Sequence, residues 1–155
     1  MIYVFDSGPL IDLFRHFYPQ RFPSLWASFD ALASAQKIIS VREVFNEIKG
    51  HEDRLTDWAK KHRNFFVQPA NDELGFVAEI FKIAHFQTLI RKKERLQGNP
   101  VADPFVIAKA KILSGCVVTQ EKLKENAAKI PNVCEHFNIS YIDFEGFMEK
   151  ENWIF

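Results

Sequence analysis

"NPVADPFVIAKAKI" (residues 99–112) passes within a few residues from loop chemistry to an amphipathic helix. Gly98, Asn99 and Pro100 favour a turn. Asp103 stands at the junction with Pro104 directly after it, an arrangement in which Asp caps the helix and Pro fills its first position. A carboxylate there also has a chemical use, provided that other acids reach the same point from elsewhere in the chain. The fold decides whether they do.

Reading outward from that stretch, short apolar runs alternate with helical patterns. "IYVF" (residues 2–5) predicts a buried first strand. "SGPLIDLFRHFY" follows with Leu10, Leu13, Phe14 and Phe17 at helical spacing, broken by Pro19 and Pro23. "PSLWASFDALASA" predicts a second helix with Leu25, Phe29 and Leu32 on one stripe. "KIIS" (residues 37–40) is a short strand, and Ser40 is a potential cap for the helix "VREVFNEIKG", which Gly50 can stop. "RLTDWAKKH" is helical and "FFVQP" strand-like. The segment "NDELGFVAEIFKIAHFQTLIRKKERL" reads as one long helix or two broken near His85. After the Asp103 helix come the strand "GCVVT", a short helical or irregular stretch "QEKLKENAAKI", a helical turn "IPNVCEHFN", the strand "SYID" and a last helix "FEGFMEKEN". This alternation predicts an α/β domain spanning residues 1–155, with a mainly parallel sheet between two helical layers.

The 155 residues are 47% hydrophobic, enough for a proper core. Lysine plus arginine equals aspartate plus glutamate, 20 each, so nucleic-acid binding must come from a local basic patch rather than from global charge. Phenylalanine is frequent, at 16, and the stretch "LFRHFYPQRFPSLWASF" in the first third carries more aromatic mass than one helical stripe needs, so part of it is expected on a partner-binding face. Cys116 and Cys134 form no C-x-x-C pair and read as core residues. "MIYVFDSGP" has no leader character, and no run approaches the roughly 20 apolar residues of a membrane span. A cytoplasmic protein without membrane contact is expected.

Sites in parallel sheets lie beyond the C-terminal ends of the strands, and the acids sit at such transitions. The first strand ends in Asp6, an uncommon place for a decorative carboxylate. "KIIS" leads into the helix carrying Glu43 and Glu47, which share a face. Glu47 lies between Val44 and Ile48, near the buried stripe, and is the favoured one. "CVVT" ends in Thr119, with Glu121 two residues on. Several carboxylates gathered at one edge repel one another, and a hard divalent cation resolves the repulsion. The constellation points to metal-dependent phosphodiester hydrolysis.

Four segments in order resemble the PIN-domain family: "VFDSGPLIDLF" its opening strand, acid and helix; "SVREVFNEI" its second acidic segment; "VADPFVIAKA" its A-D-x-x-I-A-x-A segment; and "CVVTQEK" its strand followed by T-x-D or T-x-E. The closing segment "KIPNVCEHFNISYIDFEGFMEKENWIF" resembles a PIN-like branch catalogued as DUF4411. The resemblance implies a PIN fold, Mg²⁺ or Mn²⁺, and ribonuclease activity. It carries the metal acids onto Asp6, Glu47, Asp103 and Glu121, and small hydroxyl positions onto Ser7 and Thr119. It also implies a VapC-like toxin with RNA as substrate, neutralised by a small antitoxin and often dimeric. Glu121 stands where Asp is commoner, and the insertion around "HFQTLIRKKERLQGN" is longer and more basic than in small toxins. Arg91, Lys92, Lys93 and Arg95 in that insertion are either a solvated helix end or a phosphate-gripping patch; His62 and Arg63, after Lys60 and Lys61, are a weaker candidate. The competing readings are a non-catalytic PIN-like module that binds nucleic acid or protein, and a phosphatase or structure-specific DNA nuclease using the same acids.

Overall fold

The computed structural model describes residues 1–89 and 101–155. Five strands form its centre: β1 (Tyr3–Phe5), β2 (Ile38–Val41), β3 (Phe66–Val67), β4 (Cys116–Val118) and β5 (Ser140–Ile142). Their order is β3-β2-β1-β4-β5, and every neighbouring pair is parallel. Val4 pairs with Ile39 on one side and Val117 on the other. Val4, Phe5, Ile38, Cys116, Val117 and Val118 have no solvent exposure, so consecutive residues are buried on both faces, as expected of a parallel sheet covered twice.

The crossovers explain the coverage. α1 (Ser7–His16) and α2 (Pro23–Ser34) join β1 to β2, while α3 (Arg42–Ile48), α4 (Arg54–Lys61) and a 3₁₀ turn (Arg63–Phe65) join β2 to β3. α5 (Asn71–Phe81), a 3₁₀ turn (Ala84–Gln87) and α6 (Asp103–Leu113) precede β4. α7 (Ile130–Phe137) leads to β5, and α8 (Phe144–Lys150) closes the chain. The chain steps outward from β1 through β2 to β3, then returns to β4 on the other side of β1. The order reverses between β1 and β4, and a crevice opens at such a reversal beyond the strand ends.

Several local expectations are corrected. Ser40 does not cap α3: its hydroxyl donates to the Phe5 carbonyl at 2.6 Å and ties β2 to the end of β1, and Val41 takes the cap position without a side-chain bond. Asp103 is not the N-cap of α6. Ala102 is, its carbonyl accepting from Phe105 and Val106 N–H, and Asp103 is the first helical residue. Of the two readings of the segment from Asn71, the broken one holds: the helix is interrupted at Lys82 and Ile83, close to His85. Residues 120–129 take the irregular of their two readings and form no regular element. Most of the aromatic surplus of the first third is core: Phe14, Trp26 and Phe29 are buried, with Phe14 edge-on to Trp26 at 4.7 Å.

Two contacts fix the layers. A Cβ on Gly115 would run into the Ile2 carbonyl oxygen, which accepts from Cys116 N–H as β4 begins; only glycine allows that approach. On the helical side, Lys109 of α6 and Glu73 of α5 form an ion pair of 2.8 Å with both side chains 4% exposed. Their remaining capacity is used, since Lys109 also donates to the Gln68 carbonyl and Glu73 accepts from Ala70 N–H. No helix among the described residues is long and apolar enough to cross a membrane.

Candidate acidic site at the strand ends

β1 delivers Asp6 and β4 delivers Thr119 to the same edge, because the strands are parallel neighbours and Phe5 is level with Val118. α6 reaches that edge from the opposite direction. It runs back along the sheet before β4, so its first residue, Asp103, lies where β4 ends. Asp6, Asp103 and Thr119 are buried; Ser7, Glu47 and Glu121 are half-buried.

The hydrogen bonds around Asp6 hold it in one orientation. Oδ1 accepts from Ser7 N–H at 2.8 Å, which makes Asp6 the cap of α1. Oδ2 accepts from the Thr119 hydroxyl at 3.0 Å, and that hydroxyl accepts from Glu121 N–H at 3.1 Å. Thr119 thus links the backbone of Glu121 to the carboxylate of Asp6. Burial, then the charges of Asp103 and Glu121, push the Asp6 carboxyl from 3.8 up to about 7, against the lowering effect of its two donors. The electrostatics therefore join three of the sequence-predicted acids.

Glu47 joins from α3. Its Oε1 accepts from Ala102 N–H at 3.3 Å, one of the backbone donors that a helix start leaves without an intrahelical partner. Glu43, one turn earlier, is 1% exposed. Neither is a solvated surface glutamate. Arg91, Lys92, Lys93 and Arg95 lie outside the described residues. The weaker basic group, residues 60–63, precedes β3 and so sits at the other edge of the sheet, with Arg63 over the Phe45 ring and His62 stacked on Trp58.

Sequence reasoning missed Gln120. Its amide donates to Asp12 Oδ2 at 2.9 Å and accepts from Phe144 N–H at 3.1 Å, pinning α1 and α8 beside Glu121. Its place next to Thr119 was the available signal.

The arrangement is chemically uniform: the gathered groups are oxygen donors, the set that suits Mg²⁺ or Mn²⁺. Among the described residues, no group of three or more His, Cys, Asp or Glu side chains stands close enough together to hold a metal ion. Like charge on the carboxylates opposes closer approach. One buried carboxylate oxygen one turn before Glu47 on α3, Glu43 Oε1, has no hydrogen-bond partner among the described residues. Donor chemistry and that orphan oxygen both fit a divalent cation.

The fold is a PIN-like α/β arrangement, a parallel five-stranded sheet between helical layers. The chain belongs to the DUF4411 family, a domain of unknown function, whose model matches residues 3–155. The structure of FitAB bound to an IR36 DNA fragment is similar at a TM-score of 0.51 with 12% identity, over 92% of this chain and 94% of that one. The crystal structure of VapBC2 from Rickettsia felis bound to a DNA fragment from their promoter aligns at a TM-score of 0.49 with 11% identity, over 93% of this chain and 99% of that one. No curated protein matches the sequence.

Proposed function

We propose that this protein is a divalent-cation-dependent endoribonuclease, the toxin of a toxin–antitoxin pair, that hydrolyses RNA phosphodiester bonds. The observation that carries the reading is the gathering of Asp6, Asp103 and Glu121 at the β1–β4 reversal, where burial and then the charges of Asp103 and Glu121 raise Asp6 to about 7. Asp6, Glu47, Asp103 and Glu121 would hold Mg²⁺ or Mn²⁺. When bound, such a cation acidifies water and neutralises charge on the phosphodiester. The chain's own groups hold the acids ready. Ser7 N–H and the Thr119 hydroxyl fix the two oxygens of Asp6. Ala102 N–H fixes Glu47 beside Asp103. The starts of α1 and α6 turn the positive ends of two helix dipoles toward an incoming phosphate.

An antitoxin partner and self-association belong to the same proposal. Tyr18, exposed between the half-buried Phe17 and Phe22 after α1, supports a partner face there. The likeness to FitAB supports the reading at the level of the fold. Incubation with RNA, single-stranded DNA and duplex DNA, in Mg²⁺, Mn²⁺ or chelator, tests the activity. RNA cleavage lost in chelator and in Asp6→Asn is the expected result. Cleavage of DNA alone would make it a DNA nuclease, and tight binding without cleavage a binding module.

A further inference from the structure

Glu43 Oε2 takes two guanidinium donors of Arg42, Nε at 3.0 Å and one terminal nitrogen at 2.8 Å. Its Oε1 is buried and receives no hydrogen bond among the described residues. Arg42 is 47% exposed at its side chain and reaches the carboxylate through a single oxygen, where a carboxylate and guanidinium paired for stability would commonly use both. Burying an oxygen of an ionised carboxylate without a donor is costly, and folded proteins rarely leave one so.

The orphan's position suggests what it awaits. Glu43 and Glu47 share one face of α3 a turn apart, about 5.4 Å along the axis. Glu47 reaches the start of α6 beside Asp103. Glu43 is the turn nearer the strand ends, where Ser40 ties β2 to the Phe5 carbonyl next to Asp6. A hard divalent cation keeps several waters, and their protons need acceptors around the carboxylates that hold the ion.

We propose that Glu43 is a positioning residue of the cation site: its Oε1 accepts a hydrogen bond from a water that the divalent cation retains, and so fixes the ion against Glu47 and Asp103. This rests on the cation-dependent reading above. Mn²⁺ titration by calorimetry, with metal-free melting curves, tests it on the wild type, Glu43→Gln and Arg42→Ala. Glu43→Gln should melt without cation at or above the wild-type temperature and bind Mn²⁺ about 10–100-fold more weakly. Arg42→Ala, which leaves Oε1 in place, should bind Mn²⁺ as well as the wild type or better. Three results would overturn the proposal: Glu43→Gln binding Mn²⁺ within twofold of wild type, whatever its melting temperature; both variants weakened alike, which marks an effect on α3 as a whole; or a wild type that cleaves RNA without binding Mn²⁺. A wild type that neither binds Mn²⁺ nor cleaves removes the cation reading itself, and this proposal with it.

Discussion

Asp6 makes the site's electrostatics measurable. In the unfolded chain it titrates near 3.8; in the fold burial, Asp103 and Glu121 bring it to about 7. Folding therefore takes up a proton between those values, so Asp6 favours the folded state most below about pH 4 and ceases to do so as pH rises through about 7. Metal-free melting temperature should fall across that window, and Asp6→Asn should flatten the fall. Divalent cation should reverse the slope, because ligation needs the carboxylate ionised. Asp103 allows the sharper substitution. As the first helical residue and not the cap, it can become Asn without loss of a capping bond. Asp103→Asn should melt at or above the wild-type temperature without cation, while RNA cleavage falls about 100-fold or more if the acid holds the ion. Asp12→Asn, which loses only the charge partner of Gln120 at an exposed contact, should stay within a few-fold of wild type. At this scale Asp6 was legible, because a carboxylate directly after an apolar strand is conspicuous. Glu47 was favoured over Glu43 for its place near the buried stripe, yet Glu43 is the more buried of the two, because spacing puts both on one face and does not say which meets α6 and which meets Arg42.

At the scale of elements, the strands were readable because parallel strands buried on both faces leave unbroken apolar runs, as in "IYVF" and "CVVT". Where β1 and β4 would lie followed from the alternation, and with it the edge that collects Asp6, Thr119 and Glu121. The start of α6 was misread by one residue since Asp before Pro satisfies the capping pattern wherever the first hydrogen bond falls. The join between α5 and α6 was invisible: Glu73 in a first turn and Lys109 in mid-helix look like ordinary surface residues, and only packing makes them a pair. That pair yields a test of what sets α6, and hence Asp103, in place. Lys109→Met leaves Glu73 buried without its cation, a cost of about 3–5 kcal/mol, and should lower the melting temperature by on the order of 10 °C. Adding Glu73→Leu should restore most of the loss, since an apolar pair of similar volume needs no compensation.

Across the whole molecule the charges cancel, 20 against 20, while the strand-end edge gathers acids. On the proposed reading an RNA backbone would not be drawn in by net charge, and would be held by cation at the acids and by basic residues near them. The basic group at residues 60–63 is at the wrong edge and partly committed to aromatic rings, so the remaining sequence-level candidates are Arg91, Lys92, Lys93 and Arg95. Their contribution is separable from that of the cation by its salt dependence. With Asp6→Asn as a non-cleaving background, anisotropy of a labelled single-stranded RNA gives the slope of log affinity against log salt. Each of these side chains that meets a phosphate contributes about 0.7 to that slope. Replacing all four by Gln should weaken RNA binding and flatten the slope in proportion to the phosphates lost, while Mn²⁺ affinity measured in the wild-type background stays unchanged. An unaltered slope would mean that RNA is gripped elsewhere and that these four charges meet none of its phosphates.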